Sequence, residues 1–542
     1  MDRSSQCDEP SSPAESPSPP AAHGENEKNA QFLTGLRLYG VLIGTSVASF
    51  LISLDTSVIS TAIPSITTQF HSTPDITWYA SAYPLTLCSL QPLSGKLTTI
   101  FSPRWTYQTF FIIFLLGSLL CGVAPNSSTF ILGRAVAGAG GRLSLYSFGT
   151  ILGPIMGGAL TEKVGWRWCF YINLPAGAVT VATLFLFFHP PQKKPATPLT
   201  PREKLLQLDL LGCVLFTASI VMVLLALQWG GNQHPWNSPL IIALFTGFSI
   251  TIIAFTIWEQ RQGDSAMIPL SVLLRRSVLF SVLFASLLLS SFVIPVYYLP
   301  EWFQIVLGAT PLQSGIYMLP SVISQLLGAI FSGVLAKRIP YYNPWFFLGS
   351  SLLCIASGLY TTFTVFSTPP AKWISFQILQ GLGCGLAAQM PLLTVQATLI
   401  TSPAQIPLGI SLVLFAQYFG SSLAQSIGGA IFQNILASQL EQEAGLDKTQ
   451  IQELLRAGNA KVRETVAESF PQSLNAVLEA YNMSIFRVFW FPVTGSAVAF
   501  ILAGGIEWVD LRDMASSEGS ENRVVDEFSK PGAKQGGSRA GV

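Results

Sequence analysis

The sequence predicts an all-α polytopic membrane protein, and three observations carry that prediction. Half of the 542 residues are hydrophobic and only 11% are charged, a balance foreign to a soluble domain. The mean hydropathy is positive, +0.49. The apolar residues also gather in runs of about 20, the helix length that crosses a hydrocarbon core about 30 Å thick.

The elements follow in chain order. Residues 1–35 are rich in Ser, Pro and Glu, cannot bury enough apolar surface to fold, and lack the short apolar core of a cleaved signal peptide. They are expected to form a disordered cytoplasmic tail. Apolar runs then mark twelve spans: 36–58, 78–97, 106–123, 171–189, 208–228, 238–258, 278–299, 313–335, 344–365, 373–396, 408–430 and 485–508. A long mixed-charge loop, 440–484, precedes the last span and is expected outside. Residues 509–542 mix Glu, Ser, Gly and Lys without an apolar period and read as a second disordered cytoplasmic tail.

The stretch from 129 to 160 fits neither pattern. As one helix its 32 or so residues would be about 48 Å long, and split in two each half is too short. Orientation constrains it further, because Lys and Arg of short loops collect on the cytoplasmic side. Lys193, Lys194, Arg202 and Lys204 place the loop before residue 208 inside, and Arg275 and Arg276 do the same before residue 278. Three spans precede 129 and one follows 160, so the stretch between must contribute zero or two crossings.

Several function classes drop out. Lys and Arg total 29 against 28 Asp and Glu, and their dispersal gives no nucleic-acid signal. The chain has no GxxxxGK[ST] phosphate loop. "GLGCGLA" at 381–387 lies inside an apolar run, where it packs helices and binds no dinucleotide. His23, His71, His189 and His234 are scattered. Cys7, Cys88, Cys121, Cys169, Cys213, Cys354 and Cys384 form no CxxC pair and read as small packing residues. No enzyme activity, cofactor or metal is expected. Asn126-Ser127-Ser128 and Asn482-Met483-Ser484 match the glycosylation pattern, but so close to span ends that they are read as chance matches.

Two charges stand out. Asp55, near the end of the first apolar run in "SLDTSVISTAIPSI", is either a functional carboxylate or an interfacial cap. Arg134 lies in apolar surroundings where an unpaired cation is costly, so it faces a cavity or a carboxylate, or is held by backbone carbonyls.

Motifs spread over the chain sharpen this reading. "SLDTSVISTAIPSI" resembles the first-span signature LDxTIVxxALP of the fourteen-span drug:proton antiporter branch of the major facilitator superfamily. "TWYASAYPLT" at 77–86, "LGRAVAGAGG" at 132–141, "GWRWCFYINLP" at 165–175, "LQWGGNQHPWNS" at 227–238, "YYLPEWFQIVLGATPLQSGI" at 297–316 and "QGLGCGLAAQMP" at 380–391 match the same branch in order. The resemblance covers nearly everything from 36 to 508 and is closest in wording to fungal toxin and multidrug efflux pumps.

The resemblance implies a major facilitator fold with two extra central spans. Residues 36–190 would be the N-terminal transport half, truncated near 141–149. Residues 191–260 would be a cytoplasmic linker and the two extra spans, and 261–508 the C-terminal transport half. It also implies an antiporter signature, GxxxGPxxGG, at Gly149, Gly153, Pro154, Gly157 and Gly158; small residues let backbones approach and Pro154 removes a backbone donor. Asp55 and Arg134 would handle the coupling proton. From the residues themselves, Gln91, Gln304, Gln380, Gln389 and Gln417 either line a central cavity or hydrogen-bond between helices, and Tyr83, Trp302 and Tyr418 either stack on a planar substrate in that cavity or serve as packing and interfacial anchors. The loop between the second and third spans keeps Gly95, Leu97 and Arg104 of the superfamily pattern GxLxDxxGRR but has Thr99 in place of the acid, so gating is expected to rest on other contacts.

The implied function is proton-coupled export of amphipathic organic compounds, a toxin, secondary metabolite or drug, by alternating access. The protein is expected to be a monomer in the lipid bilayer of the plasma membrane, with a small organic substrate and protons as its partners and no nucleic acid. Two rivals are a non-transporting or impaired remnant of such a pump, and proton-coupled uptake. The remnant draws on the odd stretch, since only "RLSLYSFGTIL" separates GRAVAGAGG from GPxxGG. By comparison with the branch, roughly 35 to 40 residues are absent there: the inner half of span four, its loop and the inner half of span five. Spans four and five are thus expected to be truncated and fused, either by a lost internal segment, which we prefer, or as a short hairpin turning near Arg142.

Overall fold

In a computed structural model, the structure describes residues 35–70, 75–141, 149–188, 208–231, 234–263, 266–335, 338–365, 368–447, 450–451, 454, 462–469 and 471–508. The two expected tails, the basic loop before 208 and the proposed turn at Arg142 lie outside these residues. Among the described residues there is no strand, only helices and their connections. That is the outcome demanded where no water reaches the backbone, because a helix satisfies its own N–H and C=O groups.

The first half contains α1 (Leu36–Phe70), α2 (Ile76–Ile100), α3 (Pro103–Val123), α4 (Ser127–Gly140), α5 (Gly149–Lys163), the single turn α6 (Trp168–Tyr171) and α7 (Asn173–Phe187). A pair follows, α8 (Leu210–Trp229) and α9 (Pro239–Gln262). After the turn α10 (Leu270–Leu273), the second half contains α11 (Arg276–Ile305), α12 (Pro311–Tyr317), α13 (Leu319–Leu335), α14 (Asn343–Tyr360), α15 (Pro370–Ala387), α16 (Met390–Thr398), α17 (Ile406–Gln442), α18 (Val462–Ser469) and α19 (Leu474–Ala503).

All twelve predicted spans coincide with helices. Ten of the described spans are long and apolar enough to cross a membrane; α2 and α14 are long but richer in Ser, Thr, Gly and aromatic residues. The boundaries move outward where polar turns continue a helix: α1 runs to Phe70, α17 to Gln442, and α19 starts at Leu474. The segment between α17 and α19 is partly helical, and its Leu446, Ile451, Leu454, Val462 and Val466 are buried with the core of the second half. Arg463 fastens it there, donating to the carbonyls of Ile305 and Val306 at 2.7 Å each at the end of α11. Those carbonyls are acceptors left over where a helix stops.

Both asparagines of the glycosylation pattern have structural work. Asn126 caps α4, accepting from the Thr129 N–H at 2.9 Å, and Asn482 accepts from the buried Trp302 indole at 2.8 Å.

Within each half the fourth helix packs on the second and third through glycines. Side chains at Gly138 and Gly140 would overlap α2 and α3, and side chains at Gly381 and Gly383 would overlap α13 and α14. The two halves meet along α2 and α17. A Cβ on Gly95 would stand 3.2 Å from the Leu408 Cα of α17, and α8 lies against both helices, with the Phe216 ring 5.1 Å from that of Phe415. Its partner α9 is the most lipid-exposed of the spans, with only 11% of its apolar stretch buried.

Candidate transport site

The most polar point in the first half is where α1, α3, α4 and α7 converge. Asp55 and Arg134 are each 1% exposed. Arg134 Nη1 donates to Asp55 Oδ2 at 2.5 Å and lies 3.4 Å from the Asp55 carbonyl. The other carboxylate oxygen accepts from Asn173 Nδ2 at 3.1 Å and from Ser118 Oγ at 3.5 Å, and Asn173 also donates to Ser118 at 3.1 Å. The guanidinium carbon lies 4.8 Å from the Tyr83 ring centroid and 5.9 Å from that of Phe170. A cation over aromatic faces gains from the ring quadrupoles, the more so away from water.

Glycine brings these groups together. Gly117 of α3 has no side chain where Ala137 of α4 passes, and Gly133 sits against Cys121. The close approach carries Arg134 to within bonding distance of α1. With both charges buried, each is the counter-ion of the other, and removing one leaves the other uncompensated.

The remaining predicted residues are distributed as follows. Gly149 opens α5, and the helix continues through Pro154. A side chain at Gly153 would overlap Ser57 of α1, while Gly158 faces open space; the Gly157 carbonyl is 3.8 Å from Cys169 Sγ. Gln380 is fully buried, accepts from the Tyr360 hydroxyl at 2.5 Å and donates to the Phe292 carbonyl at 3.1 Å. Gln304 and Gln417 donate to Ser314 Oγ and the Ala388 carbonyl, both at 3.4 Å. Gln91 is fully buried in α2, Gln389 immediately precedes α16 without a side-chain capping bond, and Tyr418 is half-buried in α17. Tyr83 is packed under Arg134.

Asn173 and Ser118 belong to the site without having been singled out by the sequence reading. The available signal was an amide and a hydroxyl set in otherwise apolar runs, Asn173 within the quoted "GWRWCFYINLP".

Two helical halves, the first built around a buried ion pair, with long apolar helices throughout, define a multi-pass membrane protein. The chain belongs to the Major Facilitator Superfamily, which it matches over residues 45–145 and 140–425. Members of this family carry small-molecule substrates across membranes, so the chain is a secondary transporter by family. It is 42% identical to the MFS-type transporter poxA of Penicillium oxalicum, over 97% of each chain. It is 38% identical to the MFS-type efflux pump MFS1 of Arthroderma benhamiae, over 91% of this chain and 95% of the other. The efflux pump mlcE of Penicillium citrinum is also 38% identical, over 89% and 92%. Among solved structures, the proton:xylose symporter XylE is 12% identical with a TM-score of 0.53, over 88% of this chain and 99% of the other. An autoinhibited POT-family peptide transporter is 14% identical with a TM-score of 0.53, over 88% and 98%; both show the fold alone.

The two stretches matched to the family meet at 140–145, between the end of α4 and the start of α5. The alignment with poxA runs over 557 positions, more than the 542 residues of this chain, so the relative carries residues that this chain lacks.

Proposed function

We propose that this chain carries the frame of a proton-coupled exporter of amphipathic organic compounds, acting at the plasma membrane as a monomer. The observation that carries the reading is the buried Asp55–Arg134 pair, held by Asn173 and Ser118. Protonating Asp55 removes the counter-ion of Arg134 and turns an acceptor oxygen into a donor. The bonds joining α1, α4 and α7 then rearrange, so proton uptake on one side of the membrane shifts the balance between the two accessible states. The relatives named efflux pumps support the outward direction for the substrate, with toxins, secondary metabolites or drugs as the class. The close α1–α5 packing at Gly153 supports the antiporter role of the glycine signature.

A second reading is favoured by one specific observation: α4 has 14 residues, about 21 Å of helix against a core of about 30 Å. Together with the meeting of the two family matches at 140–145, this supports the loss of an internal segment, and coupled transport by the 542-residue chain is then weak or absent.

Efflux from vesicles under an imposed proton gradient tests both readings. We expect little efflux from this chain and gradient-dependent efflux once spans four and five are completed with the corresponding stretch of poxA. Robust efflux from the chain as it stands would sink the impairment. A completed chain that accumulates substrate with the gradient, or ignores it, would sink the export reading.

A further inference from the structure

The segment "LQWGGNQHPWNS" at 227–238 lies apart from the ion pair, where α8 ends and α9 begins. Here the chain folds back on itself: the His234 N–H donates to the Trp229 carbonyl at 3.0 Å, and the Gly231 N–H to the His234 carbonyl at 2.9 Å. Two glycines receive the Trp236 ring. A Cβ on Gly230 would stand 2.5 Å from that ring and one on Gly231 2.6 Å from its nitrogen, and Gly231 has a left-handed φ of 74°. Any residue with a side chain at these positions would push the indole away. Thus held, Trp236 is 42% exposed and forms one wall of a cleft of about 390 Å³ between the end of α8 and residues 426–435 of α17.

The cleft belongs to the lipid-facing surface. Nearer their starts the same two helices touch, Phe216 against Phe415 at 5.1 Å; by Leu227 and Ser426 they border the open space of the cleft. Leu240 and Ile242, at the start of α9, are exposed, and an indole with an apolar body and one polar N–H suits the boundary between hydrocarbon and headgroups. The lining is apolar, with Leu227, Ile427 and Ile431, and holds no acidic or basic side chain. The Ser426 hydroxyl donates to the Ser422 carbonyl at 3.0 Å, and Asn434 Nδ2 donates to the Ala430 carbonyl at 2.8 Å. What the cleft offers an occupant is therefore an acceptor, chiefly the Asn434 carboxamide oxygen. Asn434 lies farther along α17 than Ser426, toward the loop that follows the helix, so the acceptor sits at the surface end with apolar lining below it. Without a cation the cleft has nothing to hold a phosphate headgroup. A flexible acyl chain would lose rotamer freedom in a fixed cleft, whereas fused rings have little to lose.

We propose that this cleft binds one sterol from the leaflet on the side of the 440–484 loop, with its fused rings between Leu227, Trp236 and Ile431 and its hydroxyl donating to Asn434 Oδ1. The volume is that of a small-molecule site, and the polar end and apolar body of the cleft match a lipid whose single hydroxyl lies at headgroup level. Bound there, the sterol fills the space between the additional helix pair and α17 and stabilises the arrangement in which they stand together. The inference needs neither the export nor the proton-coupling reading.

The test uses the full chain in phosphatidylcholine nanodiscs containing a diazirine-bearing cholesterol with an alkyne handle, the crosslinked peptides being mapped by mass spectrometry. Labelling is expected to concentrate on the peptides that hold Trp236 and residues 426–435 and to be displaced by cholesterol. Cholestane, which lacks the hydroxyl, is expected to compete about fivefold less well, the worth of one ordinary hydrogen bond. Asn434→Leu erases that difference between the two competitors, and Ala430→Trp, which fills the cleft, loses the labelling. Labelling spread evenly over α8, α9 and α17, or unchanged in a folded Ala430→Trp variant, overturns the site. Equal competition by cholestane against the parent overturns the assignment to a sterol, as does labelling of the same peptides by a diazirine-bearing phosphatidylcholine that cholesterol does not displace. Should Ala430→Trp fail to fold, Asn434→Leu decides the matter, because Asn434 is exposed and its amide nitrogen bonds only to its own helix.

Discussion

The two halves of the molecule use the same helices for the same purpose with different chemistry. In the first half, α1, α3, α4 and α7 are joined by Asp55, Ser118, Arg134 and Asn173, a charged network. In the second, the corresponding α11, α14 and α15 are joined by the Phe292 carbonyl, Tyr360 and Gln380, a neutral one. Around both, glycines bring the fourth helix onto its neighbours. The packing frame is thus shared, while of these two networks the one in the first half is built on an ion pair. A neutral amide and phenol hold helices together at constant charge; a carboxylate and guanidinium hold them only while both are ionised.

The largest expected effect comes from breaking the charged centre. Asp55→Asn leaves Arg134 buried without a counter-ion and is expected to cost about 3 to 5 kcal/mol, read as a lowered unfolding temperature in detergent, with Asp55→Asn/Arg134→Gln recovering much of it. A single variant that unfolds with the parent would remove the contrast between the halves. Next come Gly140→Val and Gly383→Val, which overfill equivalent contacts and should each lose about 1 to 3 kcal/mol; a large inequality would show that the two frames are not equivalent. Tyr360→Phe deletes one neutral hydrogen bond and should lose about 1 kcal/mol, well below Asp55→Asn in the same assay. The smallest effect is reserved for Gly158→Ala, which meets open space and should be neutral or stabilising by up to about 1 kcal/mol, whereas Gly153→Ala collides with Ser57 and should be destabilising.

The helices were legible because lipid-spanning segments must be apolar for their full length. Their ends were less so: the outer turns of α1 and α17, past Ile59 and Ala430, are polar enough to look like loop, yet both continue as helix, in α1 even through Pro64. Asp55 and Arg134 were conspicuous as charges in apolar runs. Their hydrogen-bond partners were not, since Asn173 and Ser118 resemble dozens of other small polar residues until the helices are placed side by side. Tyr83 and Gln380 were picked out as polar groups inside spans, but whether such a group faces a cavity or a neighbouring helix depends on rotation about the helix axis. A sequence with no strict period does not fix that rotation. Asp209 and Glu259, fifty residues apart, gave no sign that both would accept from the Met267 N–H until α8 and α9 were paired.

The brevity of α4 also has a consequence for the lipid. A helix of 14 residues is about 9 Å shorter than the hydrocarbon thickness and creates a local hydrophobic mismatch. Where α4 meets lipid, at the exposed Leu132, the bilayer must thin, or acyl chains must slide in past the end of the helix. The protein would then be sensitive to acyl-chain length, being better accommodated in thin membranes than in thick, sterol-rich ones.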